Sequence, residues 1–96
     1  MGRQYRLTST QPVAELFEGI VSALSASDAY RCVACEARYT GFEHAGAGSV
    51  WGVDIEVSVE REGVLLRMHA GNAKQVLGLI KTAVGRVGSP LAVEEI

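Results

Sequence analysis

The strongest pattern in the chain is a strict alternation of apolar and polar residues over VWGVDIEVSVER (50–61). Such alternation is typical of a strand that buries one face and exposes the other. The apolar positions are Trp51, Val53, Ile55, Val57 and Val59. The polar positions are Asp54, Glu56, Ser58 and Glu60. We therefore predict a half-buried strand over this segment.

A second apolar segment, VLLRMHA (64–70), follows Glu62-Gly63, which we interpret as a two-residue hairpin turn in which glycine supplies a positive φ. The cross-strand pairs that this turn predicts are Val59 with Leu66, Val57 with Met68, Ile55 with Ala70, Glu56 with His69, Ser58 with Arg67 and Glu60 with Leu65. A slip by one residue would turn the charged side chains toward the core, so the pattern specifies the register well.

Other segments predict the remaining elements. RQYRLT (3–8) and YRCVACEARY (30–39) have strand patterns, and LAVEEI (91–96) can add a short edge strand. TQPVAELFEGIVSALS (10–25) and NAKQVLGLIKTAVGRVG (72–88) repeat apolar residues at helical spacing. We expect Thr10 to cap the first helix, with Pro12 in its first turn, and Asn72 to cap the second.

The order of these elements is β–α–β–β–β–α, with an optional final strand. We predict a single α+β domain over residues 1–96, with an antiparallel-rich sheet of about four strands and both helices packed on one face.

Composition narrows the class of protein. Of 96 residues, 48% are hydrophobic and 21% charged, which is typical of a globular domain and argues against disorder. The net charge of −2 gives no electrostatic reason to bind nucleic acid or an anionic membrane. No apolar run reaches the roughly 18 residues of a membrane span, and MGRQYRLTST lacks the apolar region of a secretory signal. We expect a cytoplasmic protein.

The segment GFEHAGAGSVWG (41–52) contains four glycines and a histidine. Phosphate-binding glycine loops run from a strand into a helix, whereas this segment leads into a predicted strand. We interpret it as a flexible connector between strands that can present Phe42, Glu43 and His44 to a partner.

Cys32 and Cys35 form a CxxC pattern, which we interpret as structural. On a regular strand, residues three apart point to opposite faces, so the two sulfur atoms would diverge. A zinc site would also need His44 and His69, and zinc-binding CxxC pairs usually lie in turns. We expect no metal or cofactor, with Cys35 buried, Cys32 partly exposed and both thiols reduced.

The polar face of the predicted sheet is the remaining candidate site, because two helices cover only one face of a sheet. It carries four carboxylates, Glu36, Asp54, Glu56 and Glu60, against two arginines, Arg38 and Arg67. This face can be solvated, join two copies of the chain, or dock a basic partner. Glu56 and His69 could also form an acid–base pair, although no water-excluding pocket is evident, so the question of an enzyme stays open.

In size, acidity, single domain and lack of a catalytic motif, the chain resembles the small acidic α/β immunity proteins that bacteria use to neutralise polymorphic toxins. The resemblance implies a non-enzymatic protein-binding module whose acidic face occludes the basic cleft of a toxin through fast electrostatic association. Phe42 would then serve as an apolar anchor. The candidate partner-binding residues are Asp54, Glu56, Glu60, Arg67, His69, Phe42 and His44.

The competing interpretation is a dimeric small-molecule-binding or small enzymatic α/β sandwich. Its cavity would lie between the helices and the sheet, near Trp51, Tyr39 and Phe17. A monomer with salt-sensitive affinity for a basic protein would favour the inhibitor, and a dimer that co-purifies with a small molecule would favour the sandwich.

Overall fold

A computed structural model of the chain describes residues 3–44, 53–69, 72–85 and 90–96. The elements in chain order are β1 (Arg3–Thr8), α1 (Val13–Ser25), β2 (Tyr30–Glu36), β3 (Tyr39–His44), β4 (Ile55–Val59), β5 (Val64–Met68), α2 (Ala73–Gly85) and β6 (Ala92–Glu95). The α+β class is confirmed, but the sheet has six strands rather than about four. The tail adds β6, and a part of the predicted connector forms β3.

All neighbouring strands of the sheet are antiparallel, in the order β2-β3-β4-β5-β1-β6. Helices α1 and α2 contact each other, and both contribute to one core cluster with the inward side chains of the sheet. Both helices therefore lie on the same face of the sheet.

The buried residues follow the predicted spacing within each helix. Helix α1 buries Leu16, Phe17, Ile20 and Leu24. Helix α2 buries Val76, Ile80 and Val84. On the sheet side, Ile55 and Val57 are fully buried, as the alternation in this segment predicts.

The predicted N-cap of α2 is confirmed, and that of α1 is wrong. Asn72 accepts hydrogen bonds at Oδ1 from the backbone N–H groups of Lys74 (3.0 Å) and Gln75 (3.3 Å). In α1 the N-cap position is held by Pro12, which makes no side-chain capping bond. Thr10 therefore lies two residues before the cap, and Pro12 precedes the first turn instead of joining it.

The hairpin between β4 and β5 forms with a turn one residue earlier than predicted. The N–H of Glu60 donates to the carbonyl of Gly63 at 2.8 Å, so Arg61 and Glu62 are the central turn residues. The observed pairs are Ile55 with Met68, Glu56 with Arg67, Val57 with Leu66, Ser58 with Leu65 and Val59 with Val64. This register differs from the predicted one by two residues, so each paired residue of the described hairpin keeps its predicted face. Ala70 lies outside the described residues.

Gly63 is needed for a close approach and not for a positive φ. A Cβ atom at this position would lie 2.5 Å from the carbonyl oxygen of Leu7 and 2.9 Å from Thr8 Cγ2, while the φ of Gly63 is outside the left-handed region. The turn therefore packs directly on the end of β1.

The predicted strand 30–39 is confirmed over Tyr30–Glu36 as β2, but its end is wrong. A turn at Ala37-Arg38 follows, and Tyr39 is the first residue of β3. The predicted connector consequently begins as strand β3, in which Phe42 is fully buried opposite Ile55. Residues 45–52 of that connector, Trp51 among them, lie outside the described part of the chain.

Candidate functional site

We call the sheet surface opposite the helices the open face. The strand register assigns to it Arg31 and Glu36 of β2, Tyr39, Gly41 and Glu43 of β3, Glu56 and Ser58 of β4, Glu60 of the following turn, Leu65 and Arg67 of β5, Gln4 and Arg6 of β1, and Glu94 of β6. Both helices lie on the other side of the sheet, so neither covers these residues.

A polar cluster lies near the centre of the open face, and we call it the Glu56 cluster: Tyr39, Glu56, Arg67 and His69. The hydroxyl of Tyr39 donates to Glu56 Oε1 at 2.8 Å, and Glu56 Oε2 makes a short contact with His69 Nε2. Arg67 lies directly opposite Glu56 in the register. The predicted contact between Glu56 and His69 is therefore present, although as a diagonal contact instead of a directly opposed pair.

Gly41 makes room for this cluster. It lies opposite Glu56 on β3, and a Cβ atom there would be 3.3 Å from the hydroxyl oxygen of Tyr39 and 3.2 Å from Val53 Cγ1. Because no side chain occupies that space, the ring of Tyr39 reaches across Gly41 to Glu56.

Electrostatics fix the protonation states of two members of the cluster. The hydrogen bond with His69 is the main cause that lowers the pKa of Glu56; burial opposes it, and the bond from Tyr39 and the charge of Arg67 add to it. Burial and the hydrogen bond to Glu56 raise the pKa of Tyr39 to about 12. At neutral pH, Glu56 is a carboxylate that accepts from a neutral phenol.

Ion pairs organise the rest of the open face. Arg6 lies 3.7 Å from both Glu60 and Glu94, and Arg31 pairs with Glu43. The face assigned above carries the five glutamates Glu36, Glu43, Glu56, Glu60 and Glu94 and the three arginines Arg6, Arg31 and Arg67. It is therefore acidic, as predicted, but several of its charges are already paired within the protein.

Asp54 serves the fold. It is only 5% exposed, and its Oδ2 accepts the backbone N–H of His44 at 2.9 Å. Its own N–H donates to the carbonyl of Phe42 at 2.8 Å, and its carbonyl accepts from the N–H of His69 at 2.7 Å. Asp54 thus ties the ends of β3 and β5 to the start of β4 and positions His69 beside Glu56.

Of the predicted partner-binding residues, Glu56, Glu60, Arg67 and His69 lie together on or beside the open face. Phe42 and His44 do not join them. The ring of His44 packs against that of Tyr30, with centroids 5.3 Å apart, and Tyr30 belongs to the core cluster.

Tyr39 is the site residue that the sequence pattern missed. The pattern placed it on one strand with Val33 and Cys35, but the turn at Ala37-Arg38 starts a new strand at Tyr39. No glycine, proline or asparagine marks that turn, so the usual sequence signal for it is missing.

The two cysteines do not follow the predicted arrangement. A β-bulge between Cys32 and Ala34 shifts the parity of β2, so Cys32 lies opposite Phe42 and Cys35 lies opposite Thr40. Phe42 and Thr40 both point into the core, so both cysteines are on the helix side of the sheet. Both are free thiols, and both are exposed, which contradicts the prediction that Cys35 is buried.

The cavity predicted near Phe17, Tyr39 and Trp51 does not form between the first two. Phe17 belongs to the core on the helix side, whereas Tyr39 bonds to Glu56 on the open face, so the sheet separates their side chains. Trp51 lies outside the described residues.

The fold and the site therefore define an α+β protein whose antiparallel sheet has an acidic face that neither helix covers. Leu65 and Glu43 of this face are nonetheless only 5% and 8% exposed. Comparison with protein-family models, curated proteins and solved structures gave no match to this chain. Among the helices that the structure describes, none is long and apolar enough to cross a membrane.

Proposed function

We propose that the protein is a non-enzymatic binding module that docks a basic protein on the open face. In its narrower form, the proposal is that the protein is an immunity-type inhibitor that blocks the basic cleft of a toxin. The observation that carries the proposal is the acidic open face with the Glu56 cluster near its centre, on the side of the sheet that neither helix covers.

The side chains of this face suit protein recognition. Tyrosine and arginine are among the residue types that most often dominate binding energies, and the Glu56 cluster contributes Tyr39 and Arg67. The carboxylates of Glu56 and Glu60 sit beside arginines that a cationic partner can displace or bridge. The net negative charge of the face would speed association with such a partner, and this effect weakens as salt is added.

Exposure favours binding over catalysis at the Glu56 cluster. The side chains of Glu56 and His69 are 23% and 42% exposed. Acid–base catalysis is most effective where water is excluded and the interacting charges are strong. A hydrogen-bonded cluster on an exposed sheet surface is better suited to binding than to catalysis, because a docked partner would exclude the remaining water from the cluster.

The test is affinity capture from the source lysate at low and high salt, followed by titration of the purified candidate. We expect to capture a basic protein whose Kd for this chain rises with salt. Glu56→Lys and Glu60→Lys should each raise that Kd at least tenfold, which corresponds to about 1.4 kcal/mol of binding free energy. Glu18→Lys is the matched control, because it makes the same charge change at an exposed position of helix α1.

Equal weakening by all three variants would mean that the partner responds only to net charge, and would contradict docking on the open face. Retention that is insensitive to salt and to the face variants would overturn the proposal as well. Thermal melting of each variant separates lost contacts from lost stability.

A further inference from the structure

Strand β2 forms one edge of the sheet, and the centre of this edge is exposed and uncharged. Among the described strands, β2 pairs only with β3. Its residues Cys32, Val33 and Cys35 are exposed, and Val33 is 43% exposed. The opposite edge strand, β6, carries Glu94 and Glu95, and charged residues of this kind protect an edge from pairing. The four central residues of β2, from Cys32 to Cys35, have no such charge.

The sequence of this edge is complementary to itself in the antiparallel direction. When RCVACE (31–36) is placed against a second copy running the opposite way, Arg31 meets Glu36, Cys32 meets Cys35 and Val33 meets Ala34. Each contact occurs twice, because the pairing has twofold symmetry. Opposite charges face each other at both ends, and small or apolar residues face each other in the middle.

The β-bulge in β2 brings these pairs to the correct faces. In a regular strand, Arg31 and Glu36 would point to opposite faces, and so would the two cysteines. The shift between Cys32 and Ala34 places Arg31 opposite Glu43 and Glu36 opposite Tyr39, both on the open face, while Cys32 and Cys35 share the helix face. The side chain of Arg31 remains 68% exposed beside Glu43, so it is accessible to a second carboxylate.

We infer that β2 is a self-association edge, through which two copies of the chain join antiparallel with Arg31 of each copy opposite Glu36 of the other. The twofold axis then runs perpendicular to the sheet. Both open faces lie on one side of a continuous sheet, and all the helices lie on the other. The pairing uses Arg31 and Glu36 at the margin of the open face and leaves the Glu56 cluster free, so it does not depend on the proposed function.

The first test is sedimentation over a range of protein concentrations under reducing conditions. We expect a monomer–dimer equilibrium that Glu36→Arg weakens at least tenfold, since it puts two arginines opposite each other at both ends of the pairing. The matched control is Glu62→Arg in the β4–β5 turn, which should leave the dimer constant unchanged. A monomer at all concentrations would overturn the inference, as would equal weakening by both variants.

The second test uses the cysteines as reporters of register. Directly opposed residues of an antiparallel pair have Cα atoms about 4.5–5.5 Å apart, which suits a disulfide. Added oxidised glutathione takes up the two electrons and two protons that each pair of thiols loses. We expect Cys32→Ser and Cys35→Ser to form no covalent dimer when each is oxidised alone, and the mixture of the two to form the covalent heterodimer.

Neither variant can form a disulfide within its own chain, so the mixture reports contact between copies alone. A covalent dimer in one variant by itself would show that like cysteines meet and would overturn the register. A different result would be that Glu56→Lys dissociates the dimer and that the mixture forms no covalent heterodimer. This result would place the contact between copies on the open face instead of on β2.

Discussion

At the scale of single residues, Glu56 organises the centre of the open face, because Tyr39 and His69 both bond to its carboxylate. Burial and the bond to this carboxylate raise the pKa of Tyr39 from 10 to about 12. A raised phenol pKa stabilises the fold below the unfolded value of 10, and this stabilisation is lost as the pH rises from 10 through 12.

We predict that Glu56→Gln lowers the pKa of Tyr39 and leaves it above 10, because the charge is removed while burial remains. The measurement is phenolate absorbance during alkaline titration, with Tyr39→Phe used to identify the signal. Glu62→Gln in the exposed turn is the matched control and should leave the titration unchanged. An unaltered titration in Glu56→Gln would show that burial alone sets the pKa of Tyr39.

Asp54 acts within the fold, and its replacement should affect stability. In Asp54→Ala, the part-buried N–H of His44 loses the acceptor Oδ2 of Asp54. The expected loss of unfolding free energy is about 1 kcal/mol, at the lower end of the cost of an unsatisfied buried donor. Asp54→Asn keeps a side-chain oxygen that can accept this bond, so it should cost less. Urea denaturation of both variants measures the difference. Equal losses in the two variants would mean that the charge of Asp54 matters more than its bond to His44.

At the scale of secondary-structure elements, two glycines should respond to alanine in opposite directions. Gly63→Ala should lower the unfolding free energy by about 1–3 kcal/mol, because its Cβ atom would clash with the backbone of Leu7. Gly78→Ala should raise it by about 0.5–1 kcal/mol, because Gly78 is exposed within α2 and a Cβ there meets nothing within 4 Å. Denaturant midpoints measure both changes. Destabilisation by Gly78→Ala would mean that the outer surface of α2 is packed against something in solution.

The elements with clear periodicity could be predicted from the sequence, and those defined by a weak turn could not. Both helices and the β4–β5 hairpin could be predicted from the spacing of their apolar residues. The turn of the hairpin was misplaced by one residue, which shifted the predicted register but kept the paired side chains on their predicted faces. Strand β3 was missed because Ala37-Arg38 carries no turn residue and because the glycines from Gly41 onward are typical of a loop. The Glu56–His69 contact was predictable, since it needs only the parity of one hairpin. Tyr39 was not, since its place depends on the turn before β3.

At the scale of the whole molecule, the two proposed contacts are centred on different residues, and both depend on the same core. Binding to a basic partner uses the open face, and self-association uses the edge at β2. One core cluster joins residues from both helices and from strands β1 to β5. A substitution that unfolds the core should therefore abolish both binding and self-association. A surface substitution should weaken one of the two and leave the other unchanged.

Because one core supports the whole fold, we expect a charged substitution at Val57 to unfold the chain. Val57 is fully buried at the centre of β4. Val57→Asp introduces an unpaired charge into the core, which costs several kcal/mol and is comparable to the total stability of a small domain. We expect helix and strand signals in circular dichroism to disappear together. Val33→Asp makes the same change at an exposed position of β2 and should shift the unfolding free energy by only about 0.5 kcal/mol at concentrations where the chain is monomeric. A folded Val57→Asp variant, or equal losses in the two variants, would contradict the burial of β4 and with it the assignment of Glu56 to the open face.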